Sequence, residues 1–272
     1  MSTAVITGAT SGIGKAFAEK LAESGHNIII ISRKQESADK TEAELKNKYS
    51  VNVSSIVADP GAHEGLYRIY GKLEKENDIE FLVHAAGYGT TGNVEELEPD
   101  LLENQIYLHD TAATLLARAV IPGMVKRGKG RIIFISSLAA FMTTADFTVY
   151  SATKVFLNML SKGLKVELAG TNVKTLAVCP GLVKTDFWNN GYFDDSDYTK
   201  APESYWLSPE EVADESLAFI EKRNKPVMIA GRSNRAFVGF LNIPLIGTAA
   251  NALMMSSSEK KAAKKRFSEN PE

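Results

Sequence analysis

The sequence predicts one α/β domain, a doubly wound parallel sheet with helices on both faces. Three observations carry that prediction. Short apolar runs alternate with longer, helix-like stretches from residue 3 to residue 229. The runs are apolar at successive positions, as strands covered on both faces must be. No linker, repeat or low-complexity segment interrupts them, so residues 1–272 read as a single domain.

Composition narrows the function classes. Hydrophobic residues make up 44% and charged residues 24%, as in an ordinary globular protein. The net charge of −2 gives no strong attraction to nucleic acid or to an anionic membrane. One cysteine, Cys179, excludes an intramolecular disulfide and fits a reducing compartment. The N-terminus lacks a charged-then-apolar signal pattern, and a cytoplasmic location is expected. No metal site is expected.

Thr3 to Ile6 is the first strand. Thr7-Gly8-Ala9-Thr10-Ser11-Gly12-Ile13-Gly14 follows, and then a helix carrying Phe17, Ala18 and Leu21 toward Gly25. Strand, glycine turn and helix form the context of a dinucleotide phosphate site. Glycines let the backbone approach a pyrophosphate, and the helix N-terminus offers free N–H groups. Gly8, Thr10, Ser11, Gly12, Ile13 and Gly14 are therefore candidate cofactor contacts.

Asn27 to Ile31 is a second buried strand, ending in Ser32-Arg33-Lys34. An acid about 20 residues beyond the glycines would hold the ribose 2′-hydroxyl of NAD. No acid stands at this strand end, and Arg33 matches a 2′-phosphate in shape and charge. The expected cofactor is NADP(H), with Ser32, Arg33 and Lys34 beside the phosphate. Glu36 is close enough to leave NAD open.

A polar-faced helix over 35–49 precedes a third strand, Val51 to Ala58. Asp59 then either borders the adenine pocket or caps the helix expected over 62–76. Phe81 to His84 is the fourth strand. Ala85, Ala86 and Gly87 close it, small enough for the backbone to approach a flat ring.

Glu98-Pro99-Asp100 starts a long helix running to about Val125. Arg131 to Ile135 is the fifth strand, ending at Ser136 and Ser137. A helix opens near Tyr150 and reaches residue 169, which places Tyr150 and Lys154 one turn apart on one face. A hydroxyl, a phenol and an ammonium so arranged can protonate a carbonyl or deprotonate an alcohol. Val173 to Val178 is the sixth strand.

Residues 186–206 are rich in aromatics, among them Phe187, Trp188, Tyr192, Phe193, Tyr198, Tyr205 and Trp206. That insert reads as a substrate lid or a packed surface excursion. Ser208-Pro209-Glu210-Glu211 begins a helix, and Val227 to Ile229 is a last strand. Residues 236–255 carry no charge. Asn242, Pro244, Thr248 and Asn251 break that run, favouring a pocket wall, a subunit contact or a terminal helix over a membrane span.

Taken together, the residues from Thr3 to about Thr185 resemble the short-chain dehydrogenase/reductase family. The resemblance rests on the Gly8–Gly14 turn, on Ala85-Ala86-Gly87, on Ser137 with Tyr150-x-x-x-Lys154, and on Pro180-Gly181 with Thr185. It implies a Rossmann-type sheet, a nicotinamide cofactor and carbonyl–alcohol interconversion; the aromatic insert and the uncharged C-terminal run point to a small hydrophobic ketone or 3-ketoacyl substrate. It makes residues 1–185 the cofactor and catalytic core, and 186–272 the lid and C-terminal segment. Pro180, Gly181 and Thr185 become cofactor contacts, and Lys154 also holds the nicotinamide ribose.

Two residues depart from the family pattern. His84 stands where an asparagine is common, and His109 falls at the position of a catalytic asparagine. The resemblance implies a proton relay there, which a histidine titrating near neutrality could serve or which His109 could leave vacant by merely filling space. A homodimer or homotetramer is the expected assembly. A non-catalytic dinucleotide sensor and a membrane-associated lipid reductase are the alternatives.

Overall fold

The computed structural model describes residues 1–142, 146–189, 201–241 and 252. Seven parallel strands form one sheet: β1 (Thr3–Thr7), β2 (Asn27–Ser32), β3 (Val53–Val57), β4 (Ile79–His84), β5 (Gly130–Ile135), β6 (Val173–Cys179) and β9 (Val227–Ile229). Their order across the sheet is β3-β2-β1-β4-β5-β6-β9. The winding reverses between β1 and β4. A crevice opens at the carboxyl ends of the strands there, and ligands bind at such a point.

The sheet forms because its strands alternate two apolar faces. Ala4, Ile6, Ile28, Ile30, Phe81, Val83, Ile133 and Leu176 enter one core. Val5, Ile29, Leu82, Ile132 and Phe134 enter the other. Helices α1 (Gly12–Glu23), α2 (Gln35–Lys48) and α7 (Pro209–Lys222) cover the first face with Phe17, Leu21, Leu45, Val212 and Ile220. Helices α3 (His63–Leu73), α5 (Ala112–Arg127) and α6 (Thr148–Glu167) cover the second with Leu66, Ile69, Leu116, Val120 and Leu157. Each fully buried side chain of this size contributes about 1.5–3 kcal/mol.

Several expected boundaries move. The third strand is shorter than 51–58, and the fourth starts two residues earlier, at Ile79. Helix α6 opens at Thr148, so Tyr150 lies inside its first turn. The long helix after Glu98 is three pieces: α4 (Pro99–Ile106), a π turn (Tyr107–Thr111) and α5. The Ala112 N–H reaches back to the Tyr107 carbonyl, and this i→i+5 bond inserts one residue into the helix.

The aromatic insert is pinned at its two ends. Strands β7 (Leu182–Val183) and β8 (Trp206–Leu207) pair in parallel, and Lys184 N–H donates to Leu207 at 3.0 Å. Tyr192, Phe193 and Tyr198 lie outside the described residues. Helix α8 (Arg232–Leu241) follows β9 and begins the uncharged run. The remainder of that run, apart from Ala252, also lies outside the described residues. Among the described residues, no helix is long and apolar enough to cross a membrane.

Candidate active site

One cleft of about 770 Å³ runs along the carboxyl ends of the strands. Gly8, Thr10, Ser11, Gly12, Ile13 and Gly14 border it from the turn after β1. Ser32, Arg33 and Lys34 border it after β2, Asp59 after β3, and Ala85, Ala86 and Gly87 after β4. Ser137, Tyr150 and Lys154 line its other end with Pro180, Gly181 and Thr185. His109 does not line the cleft; it sits behind the 85–87 segment and is wholly buried.

The glycine turn is built for close approach. A Cβ at Gly14 would collide with the Gly8 carbonyl oxygen, so this tight turn needs glycine there. Helix α1 has Ser11 as its N-cap, though without a side-chain cap, and its first turn carries no acid. Its leading N–H groups and the positive end of its dipole therefore suit a diphosphate.

Arg33 and Lys34 are exposed at the cleft's far end. Ser32 stabilises the bend there: its hydroxyl donates to the Lys34 carbonyl at 3.1 Å and accepts the Lys34 N–H at 3.3 Å. Asp59 Oδ1 accepts the Gly61 N–H at 2.8 Å. It thus folds the loop ahead of α3, whose N-cap is Ala62, while still bordering the cleft. The floor is held by Thr7, whose hydroxyl accepts the N–H groups of Ala85 and Ala86 at 3.1 and 3.0 Å.

Ser137, Tyr150 and Lys154 converge at the near end. Ser137 Oγ accepts the Ala139 N–H at 3.1 Å, and Ser137 lines the cleft with Tyr150. Burial pushes the Tyr150 phenol up to about 12, with the nearby Ser137 hydroxyl opposing. Lys154 Nζ lies 5.3 Å from the centre of the Tyr150 ring and donates to the Ile135 carbonyl at 3.1 Å. Burial lowers its ammonium to about 8, with Asp110 opposing. In the protein alone, desolvation sets the direction of the phenol's shift. Ser136 has a structural role, its hydroxyl donating to the Lys154 carbonyl at 2.8 Å.

Of the two readings left open for His109, a ring titrating near neutrality is the one its surroundings oppose. Burial and the Lys154 charge hold the ring well below its ordinary value. Nδ1 lies 2.8 Å from Thr153 Oγ1, and Nε2 accepts the Tyr88 N–H at 3.2 Å.

A sequence profile for short chain dehydrogenases matches residues 2–194. The chain belongs to the short-chain dehydrogenase family. It is 36% identical over 184 residues to human "Inactive hydroxysteroid dehydrogenase-like protein 1", covering 67% of this chain and 56% of the relative. It is 33% identical over 186 residues to human "Dehydrogenase/reductase SDR family member 4", covering 68% and 66%. The matches thus span roughly half to two-thirds of those relatives. A short-chain dehydrogenase from Sphingobium yanoikuyae, solved in complex with NADPH, superposes with a TM-score of 0.78 at 28% identity. That match covers 96% of each chain.

This short-chain dehydrogenase also places residues in the cleft that sequence reasoning missed. Ser37 joins Arg33 and Lys34 at the far end, and its position on the first turn of α2 was a readable signal. Asn234 reaches the cleft from α8, and so does Phe237, which belongs to the 236–255 run for which a pocket wall was one of the expected roles. No local pattern marks Asn234, because β9 carries α8 to the site.

Proposed function

We propose that this short-chain dehydrogenase is an NADP(H)-dependent enzyme interconverting a carbonyl and an alcohol on a hydrophobic ketone or 3-ketoacyl-type substrate. The observation that carries the reading is the convergence of Ser137, Tyr150 and Lys154 at one end of a cleft with Arg33 at the other. The donor set fits a dinucleotide: open N–H groups at α1, a floor of small residues, and free cations at the 2′ end. When bound, the nicotinamide supplies or accepts the hydride.

The chain's own residues do the rest. Ser137 and Tyr150 donate to the substrate oxygen and fix the carbonyl against the floor. Tyr150 releases its proton from Oη as the alcohol forms, and its raised pKa keeps that proton in place until then. Lys154 stabilises the phenolate left behind and, by family resemblance, holds the ribose.

The hydrophobic substrate is supported by a chain of rings leading away from Tyr150. Tyr150 and Phe187 lie 6.1 Å apart, Phe187 and Trp188 5.3 Å, and Trp188 and Trp206 5.8 Å. Tyr150, Phe187 and Trp188 line the cleft, and such a wall favours apolar bodies. A cytoplasmic homo-oligomer is the expected setting, supported by the exposed Val155, Met159 and Val166 on α6.

The reading is tested by NADPH consumption against a panel of ketones and 3-ketoacyl thioesters. Tyr150→Phe should lower kcat about 10²–10⁴-fold while leaving NADPH affinity nearly unchanged; a fully active variant would refute the role. Arg33→Asp should reduce the preference for NADPH over NADH about 10- to 100-fold, the weight of a lost charge-assisted bond. Equal kcat/KM values for the two cofactors in the unaltered enzyme would remove NADP(H) from the proposal. The relative named as inactive favours a second reading, a non-catalytic dinucleotide binder. NADPH binding without turnover on any carbonyl would favour that one.

A further inference from the structure

His84 and His109 are the two family departures, and the structure puts His109 in the π turn and His84 against it. An i→i+5 turn throws one carbonyl out of the helical ladder. Here the Leu108 carbonyl lies 3.1 Å from His84 Nε2. A carbonyl only accepts, so the proton of His84 sits on Nε2. Nδ1 is then left to accept from the Thr7 hydroxyl at 3.1 Å. That hydroxyl is the one receiving the N–H groups of Ala85 and Ala86.

His109 has the opposite arrangement. The Tyr88 N–H can only donate, so Nε2 of His109 carries no proton. Nδ1–H therefore donates to Thr153 Oγ1, and the Thr153 hydroxyl passes on to the Tyr150 carbonyl at 2.7 Å. Packing leaves no slack. A Cβ on Gly87 would stand 2.8 Å from His109 Nε2 and 3.6 Å from Lys154 Nζ. The His109 ring also meets the Tyr150 ring edge-on at 6.0 Å.

We propose that His84 and His109 are paired positioning residues, imidazoles of opposite tautomer that lock the 85–88 floor and the catalytic helix around the π turn. His84 fastens the floor to the turn from below, and His109 fastens it to α6 beside Tyr150 and Lys154. Neither ring has a nitrogen left over, so His109 holds the site in register and carries no proton. A proton added to His109 would set Nε2–H against the Tyr88 N–H. The charged group facing both rings is Lys154 of α6, itself opposed by Asp110 of the π turn.

The kinetic half of the test rests on the redox reading above; the spectroscopic half does not. The full chain has four histidines. With ¹⁵N-histidine labelling, long-range N–H spectra from about pH 5.5 to about pH 8.5 should show two rings that do not titrate. One should carry Nε2–H and the other Nδ1–H, assigned with His84→Gln and His109→Gln. Titration of either ring in that range, or one tautomer in both, would overturn the proposal whether or not the protein turns over a carbonyl. In the active enzyme, His109→Ala should lower kcat about 10- to 100-fold, the scale of a small misplacement of reacting groups. The pH profile of kcat should keep its shape. His109→Asn can both accept from Tyr88 and donate to Thr153, and should recover most of the loss. An unchanged kcat in His109→Ala, a shifted acid limb, or no rescue by asparagine would refute the positioning role. His109→Asn and the labelled wild type keep the question answerable if the alanine variant fails to fold.

Discussion

Tyr150, Lys154, His84 and His109 are each buried, and each has its titration moved in the direction that desolvation dictates. This makes stability depend on pH in a way that can be assigned. Burial lowers His84 from 6.5 to about 4. Between those values the unfolded chain binds a proton that the folded chain refuses. Stability present above pH 6.5 is therefore lost as pH falls toward 4, on the order of 3 kcal/mol for this ring. Asp110, raised to about 7 by burial, has the opposite slope in the same window. The comparison must therefore be between variants. His84→Gln should flatten the fall in urea-derived stability below pH 6.5, and an unaltered slope would show that His84 is not the source. At this scale the sequence disclosed residue types and spacing: Ser137, Tyr150, Lys154, Arg33. It could not disclose protonation, because Ile135, Thr153 and Tyr88, which decide it, lie far apart along the chain.

The elements were legible where local chemistry sets them. Helix α7 is the clearest case. Ser208 Oγ accepts the Glu211 N–H at 3.1 Å, Glu211 accepts the Ser208 N–H at 2.7 Å, and Pro209 occupies the first turn. The pattern Ser-Pro-Glu-Glu announces this capping box. Ser208→Ala should cost about 1 kcal/mol, read as a lower urea midpoint with an unchanged slope. The fall should be absent if solvent already satisfies those N–H groups. The π turn was illegible for a physical reason. One inserted residue hardly alters the apolar period, and the carbonyl it frees is satisfied by His84 of another strand. Helix α8 was read only as part of an uncharged run, since its buried face of Asn234, Val238 and Leu241 becomes visible only once β9 is placed.

Across the whole molecule, the parallel, doubly wound character of the sheet followed from the alternation of short apolar runs with helices, because parallel neighbours require crossovers of this length. The assembly is a different matter. Val155, Met159 and Val166 lie along one face of α6 and are exposed, with Lys162 on the same stripe. A second copy related by a two-fold would cover them. Met159→Glu should then shift the protein toward monomer in sedimentation analysis with little change in monomer fold. A wild type that sediments as a monomer would sink the idea. The sequence could not separate this face from a solvated one, since scattered exposed apolar residues are ordinary.

The strand order has a consequence for how the chain is made. β1 leaves the ribosome first, yet it lies between β2 and β4, and Thr3 pairs with Ile79. At about 5–20 residues per second, synthesis must run roughly 4–15 s before that partner exists. Throughout that interval Ala4, Val5 and Ile6 have an unpaired flank, which is a target for chaperones and for aggregation alike. The Gly8 turn follows directly on that strand, and its floor at Ala85 and Ala86 arrives with β4. The dinucleotide cleft can therefore close no sooner than the sheet, and cofactor present during synthesis would favour chains that have paired correctly.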